Sequence, residues 1–233
     1  MRQVVLDTET TGLEVGKGHR IIEIGCIELA ERRPSGKRFH RYLNPQRAVD
    51  EGARAVHGIS DEFLADKPRF GEVAAEFLEF ISGAELVIHN AAFDVGFLDA
   101  ELALADPGFG RIADYASVLD TLTLAREKYP GQRISLDALC KRLNIDNRHR
   151  ELHGALLDAQ LLADVYLAMT GGQGDLGLAS AATAATPAST AAAQFIARQP
   201  LRVRRADAAE AALHQARLQI IDKASKGRCL WRA

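Results

Sequence analysis

Val4-Val5-Leu6-Asp7-Thr8-Glu9-Thr10-Thr11-Gly12 is the stretch on which the reading of the fold turns. Its β-branched residues and closing Thr-Thr-Gly turn predict a strand over residues 4–10. Side chains alternate along a strand, so Asp7 and Glu9 point the same way. Two like charges side by side repel each other, and a cation between them removes the repulsion. A solvated acidic strand end is the plain alternative, and this stretch alone does not separate the two.

Other carboxylates decide between them. A helix predicted over 151–169 carries Asp158 and Asp164. At about 100° per residue, Asp158 shares its face with Leu161, Leu162 and Val165, whereas Asp164 falls on the wet side beside Gln160. A buried, unpaired carboxylate is costly, so positive charge is expected near Asp158, and Asp164 needs no function. Asp94 opens a helix predicted over 94–104. The helix dipole favours an acid there, yet Asp94 lies on the face of Phe97 and Leu98 and points inward. Asp7, Glu9, Asp94 and Asp158 are thus four carboxylates expected to face the interior. Oxygen donors without cysteine suit hard cations that keep waters, Mg²⁺ or Mn²⁺. Paired ions of this kind catalyse phosphodiester chemistry.

His153 sits at or just before the start of the helix that carries Asp158, where it can reach the metal site and accept a proton from water. His149 is its rival. The two histidines also form an i, i+4 pair, but a zinc reading lacks the Glu of HExxH and any cysteine support.

Working outward, strands are predicted over 21–29, broken by Glu23 and Glu28, and over 39–43, with a turn at Pro34-Ser35-Gly36 between them. Three strands on short connections suggest an antiparallel meander. Ser60 caps a short helix over 61–66. Phe70, Val73, Ala74, Phe77, Leu78 and Ile81 recur at helical spacing. Short strands are predicted over 86–89 and 117–120, and Ser135 caps a helix through Leu143. Strands first, then alternating helices and strands, give a mixed α/β domain over residues 1–172. Residues 173–200, rich in Gly, Ala, Ser and Thr, read as a flexible linker. A helix from about Asp207 to Lys223 follows in the tail 201–233. Its stripe of Leu213, Ala216, Ile220 and Ile221, with Trp231 beyond, is too small to bury a core of its own and is expected to seek a partner. A helix folded back onto the first domain is the alternative.

Composition sets the outer bounds. At 233 residues, 47% apolar and 26% charged, the chain suits one good-sized globular domain with an appendage. A net charge of −2 provides no global basic field, so a nucleic-acid partner would be held by local patches and metal ions. Cys26, Cys140 and Cys229 are far apart, so neither a disulfide framework nor a zinc site is indicated, and a cytoplasmic location is expected. The strand begins at once, so no signal peptide is expected. No apolar run reaches membrane-spanning length.

Asp7-Thr8-Glu9, Asp94 within His89-Asn90-Ala91-Ala92-Phe93-Asp94, and His153 with Asp158 resemble the DEDDh 3′–5′ exonucleases. DTETTG, IIEIG, VHGI, ELVIHNAAFD, SLDALC, LHGALLDAQLLA and the terminal CLWRA are similar to the family of epsilon proofreading subunits of bacterial DNA polymerase III. The resemblance covers roughly 1–172 and the tail. It implies an RNase H-like fold with a mixed five-stranded sheet and flanking helices. It also implies that Asp7, Glu9, Asp94 and Asp158 hold two Mg²⁺ or Mn²⁺ ions, that His153 is the general base, and that a 5′-mononucleotide is released from a DNA 3′ end. Thr10 is implied to contact the terminal nucleotide, and His57 and Phe93 are candidates to line the same pocket.

The implied partners are DNA 3′ ends, the polymerase catalytic (alpha) subunit through 201–233, and a small theta-like accessory subunit on the exonuclease domain. Gln173-Gly174-Asp175-Leu176-Gly177-Leu178 resembles a sliding-clamp-binding peptide, with Gly177 departing from its usual pair of bulky apolar residues. The loop Leu13 to His19 is shorter than is usual in the family. A free-standing exonuclease trimming RNA or DNA ends and a non-catalytic scaffold are the competing readings. All five site residues are present, which speaks against the scaffold.

Overall fold

The computed structural model describes residues 1–147, 152–171 and 206–225. His149, the linker with its Gln173–Leu178 peptide, Cys229 and Trp231 lie outside the described residues. The chain forms two units, Met1–Ala179 and Ser180–Ala233.

The first unit is built on a five-stranded sheet, ordered β3-β2-β1-β4-β5. β1 (Arg2–Thr10), β2 (Ile21–Ala30) and β3 (Arg33–Tyr42) form the expected antiparallel meander. β4 (Glu85–Ile88) runs parallel to β1, and β5 (Ser117–Asp120) runs parallel to β4. The helices are α1 (Glu51–His57), α2 (Asp61–Leu64), α3 (Phe70–Ile81), α4 (Ala91–Ala105), α5 (Thr121–Lys128), α6 (Leu136–Leu143) and α7 (Ala155–Thr170).

Alternation along β1 sorts the core into two layers. Val4 and Leu6 join Leu86 and Ile88 under α3 and α4, while Val5 joins Val87 under α6 and α7. All six apolar residues expected on the inner face of α3 are buried. The expected caps Ser60 and Ser135 each accept a backbone N–H, from Phe63 and Ala138.

One local expectation fails, and two helices are new. The β2–β3 turn lies at Glu31 and Arg32, both at positive φ, and Pro34-Ser35-Gly36 runs inside β3. β3 is an edge strand, so Pro34 forfeits no ladder partner that a central strand would need. Residues 51–57 and 121–128 are helical, whereas the sequence reading leaves them unassigned. Cys26 and Cys140 are both buried. Among the described residues, no helix is long and apolar enough to cross a membrane.

In the second unit, α8 (Ala208–Ala224) is the described element and falls where the tail helix is expected. Asp207 accepts from the Glu210 N–H, and Glu210 accepts in return from the Asp207 N–H. This reciprocal capping satisfies two of the amides that a helix start leaves open.

Candidate active site

β1 outruns its neighbour. β4 pairs with β1 only at Gln3, Val4 and Val5, so the carboxyl end of β1 has no parallel partner on that side. The strand order reverses direction here, and such switch points open crevices at strand carboxyl ends. Asp7 and Glu9 lie on this overhang, opposite Gly25 and Glu23 of β2. By the alternation seen in the core, both face the α7 layer and Thr8 faces α4.

α4 starts beside the overhang. Asn90 precedes it in the left-handed conformation, which aims the first turn at the crevice. Asp94 in that turn is 3% exposed, so the expectation that it points inward holds. The Thr8 hydroxyl donates a 2.7 Å hydrogen bond to Asp94 Oδ1. Burial pushes the Asp94 carboxyl up to about 7, against the opposing effect of the Thr8 bond. A carboxylate this poorly solvated is one that a cation would relieve.

α7 supplies the other wall. Asp158 in its first turn is 3% exposed, while Asp164 is exposed, as the helical-wheel reading requires. His153 precedes the helix, with its backbone N–H bonded to the Val56 carbonyl at 3.1 Å. Its Nδ1 lies 3.2 Å from Asp158 Oδ2. One donor atom from each of Glu9, His153 and Asp158 falls within 4.8 Å of the others. Asp7, Glu9, Asp94, His153 and Asp158 all line one cleft of about 440 Å³. Four carboxylates and one imidazole are a donor set for a hard divalent cation.

A second cavity of about 410 Å³ adjoins it and shares Thr8, Glu9 and Phe93 with it. Thr10 and His57 line this second cavity, so the structure brings all three candidate pocket residues beside the carboxylates. The Thr10 hydroxyl donates to the Gly12 carbonyl at 2.7 Å, a bond within its own turn. His57 Nδ1 accepts from the Ile59 N–H at 3.0 Å, which places the proton of the neutral ring on Nε2. That Nε2 is buried and, among the described residues, makes no hydrogen bond of ordinary geometry. Burial lowers the His57 pKa, opposed by the Glu23 carboxylate and the Thr10 carbonyl.

The short loop Leu13 to His19 is pinned at its far end. His19 Nδ1 is 3.0 Å from the Thr11 hydroxyl, and Nε2 is 3.5 Å from Asp50.

Sequence reasoning missed Thr8 and Glu23. Thr8 is a polar residue on the buried face of a central strand, a legible signal read only as spacing between two acids. Glu23 is read only as an interruption of an apolar strand, yet it is 2% exposed.

The RNase_T exonuclease family model matches residues 4–166. DNA polymerase III subunit epsilon of Escherichia coli (strain K12) is 54% identical, covering 100% of this chain and 98% of that protein. The same subunit of Pasteurella multocida (strain Pm70) is 51% identical, covering 99% and 93%. Among solved structures, exonuclease X in complex with 5′ overhanging duplex DNA is 27% identical with a TM-score of 0.55, over 73% of this chain and 94% of that one. The zinc-ion-bound E. coli exonuclease I complex with single-stranded DNA is 18% identical with a TM-score of 0.61, over 74% and 41%. At that identity the likeness speaks for the fold alone. The chain belongs to the RNase_T exonuclease family and, by a full-length match at 54% identity, to the DNA polymerase III epsilon subunits within it.

Proposed function

We infer that the chain is the proofreading 3′–5′ exonuclease of a bacterial DNA polymerase III, removing mispaired 3′-terminal nucleotides from DNA as 5′-mononucleotides. The observation that carries this reading is the convergence of Asp7, Glu9, Asp94, His153 and Asp158 on one cleft. The family depends on divalent metal, and the donor set fits. Asp7, Glu9, Asp94 and Asp158 would hold two Mg²⁺ or Mn²⁺ ions. When bound, such ions activate water and offset the charge that grows on the reacting phosphate.

The protein side chains have distinct duties around that chemistry. His153 turns Nδ1 toward Asp158, so as a donor there it leaves the Nε2 lone pair to accept a proton from the attacking water. Asp158 thereby orients the base as well as contributing a donor atom. Thr8 fixes the Asp94 carboxylate in one rotamer. In the adjoining cavity, Phe93 offers a ring against which the terminal base can stack. His57 lines the same cavity and, held by Ile59 with its Nε2 buried, forms a fixed wall for the nucleotide. Thr10 has committed its proton to Gly12, so its hydroxyl can only accept. A terminus must unpair to reach this cavity, and unpairing costs less at a mismatch.

The chain divides into an exonuclease domain over 1–172, a linker over 173–200 and a polymerase-binding tail over 201–233. The self-capped α8 supports a tail that is helical and offers an apolar stripe to the polymerase alpha subunit. Gln173–Leu178 is a site for the sliding clamp, and a theta-like subunit sits on the exonuclease domain. The location is the bacterial cytoplasm, at the replisome.

Mononucleotide release from matched and mismatched primer ends, with and without chelator, tests reaction, metal and selectivity together. Mismatched ends should be trimmed faster, and chelator should stop release. Release that persists in an Asp7→Ala, Glu9→Ala variant would overturn the assignment of the site. Co-purification of a polymerase with residues 201–233 would exclude a free-standing nuclease.

A further inference from the structure

We propose that Glu23 is a positioning residue for the exonuclease centre: from β2 its carboxylate caps the start of α7 and thereby sets His153 and Asp158. The proposal rests on the roles given above to those two residues.

α7 begins without a cap of its own. Its N-cap residue is Gly154, which has no side chain to accept from the first-turn amides. Helices that start in a buried place leave such amides unsatisfied unless another element supplies an acceptor. Glu23 supplies it: Oε2 accepts from the Ala155 N–H at 3.1 Å in a buried setting. A carboxylate at a helix start is also favoured by the helix dipole. Its other oxygen, Oε1, lies 2.7 Å from His40 Nε2 on β3, so the carboxylate is held from both sides.

The contact is tight as well as polar. Gly25 is two residues along the same face of β2, and a Cβ there would lie 2.3 Å from the Ala155 carbonyl carbon and the Leu156 nitrogen. The backbone of α7 therefore rests directly on β2, and Glu23 fixes where along the strand it rests. His153 lies two residues before Ala155 and is tethered on its other side to Val56. Asp158 lies within the first turn, its N–H bonded to the Gly154 carbonyl at 2.8 Å. Both functional groups thus flank the turn that Glu23 caps. Outer contacts that orient catalytic ligands are typically worth about 10–100-fold in activity.

The test uses the full chain with single-stranded DNA and Mg²⁺. Glu23→Ala should lower kcat by about 10–100-fold with KM within about threefold. Glu23→Gln keeps an oxygen for the Ala155 N–H and should stay within about threefold of wild type. Gly154→Ser adds a local cap, and Gly154 has the extended backbone at φ −155 that any residue adopts. In the Glu23→Ala background, Gly154→Ser should restore most of kcat, measured against Gly154→Ser alone.

If Glu23→Ala does not fold, the double variant becomes the test. A double variant that folds and cleaves supports the proposal, and one that still fails to fold overturns it. Wild-type kcat in Glu23→Ala, or equal losses in the Gln and Ala variants, also overturns it. A His153→Ala arm separates this outcome from failure of the site itself. Full activity there removes the role given to His153, whereas a loss there with an active Glu23→Ala removes only the positioning role.

Discussion

Thr8 and Asp94 are joined by a 2.7 Å hydrogen bond made from the face of β1 opposite to Asp7 and Glu9. One strand therefore serves both layers of the site, presenting two carboxylates to α7 and steadying a third on α4. Thr8→Val keeps the shape and removes the donor. Charge-assisted bonds are among the stronger ones in proteins. Steady-state kinetics of this variant should show kcat down by about tenfold. Unchanged kcat would mean that Asp94 is positioned without Thr8.

Asp94 makes the metal-free protein sensitive to pH. Its carboxyl is raised to about 7 by burial, so the folded state holds a proton that the unfolded state releases near pH 4. Stability in chelator should therefore fall as pH rises from about 4 to about 7, by on the order of 4 kcal/mol. Asp94→Asn should remove that fall while abolishing nuclease activity. Urea unfolding of both proteins in EDTA checks it, and parallel curves across this range would refute the assignment.

His153 should affect chemistry more than stability, since its side chain is 42% exposed. His153→Ala should lower kcat by roughly 10²–10⁴-fold and leave the metal-free melting temperature near wild type. Single-turnover cleavage gives the first quantity and calorimetry the second.

Burial lowers the His57 pKa. Its folded pKa lies below the unfolded one, so protonation favours the unfolded chain and stability falls as pH drops through about 6.5. His57→Gln should blunt that acid-side loss. Because His57 lines the cavity proposed for the terminal nucleotide, the variant should also raise KM several-fold with little change in kcat. A variant with unaltered KM would assign His57 to the fold alone.

The tail should be separable from the chemistry. A chain ending at residue 172 should retain nucleotide release on single-stranded DNA and lose polymerase binding. Gel filtration with a polymerase alpha subunit and an exonuclease assay on the same preparation test both halves.

Much of the site was legible because its signals are local. Asp7 and Glu9 follow from strand parity, Asp158 from helical parity, and the buried face of α3 from spacing alone. The failures also have local causes. Thr121-Leu122-Thr123-Leu124 alternates like a strand, yet opens α5 because Asp120 caps it through the Leu122 N–H. α1 is short, and its N-cap Asp50 makes no side-chain cap bond. Glu23 was opaque for a different reason. Its partners, His40 and Ala155, are remote in sequence, and a buried acid looks the same as an exposed one until they are known.

The reach of β1 past β4 has a consequence for how the enzyme comes into being. Asp7 and Glu9 are made first and wait on an overhang, and the groups that complete their site arrive with α7, the last helix of the domain. A nascent chain can pair β1, β2 and β3 early, since these contacts are close in sequence, but the closing contact spans nearly the whole domain and forms late. Once closed, α7 is deeply held, with Leu161, Leu162, Val165 and Met169 in the core and its backbone against Gly25, so it leaves only with the sheet. Nucleotide release and the sheet should therefore be lost at one temperature, so that a late-made helix still ties the chemistry to the whole fold.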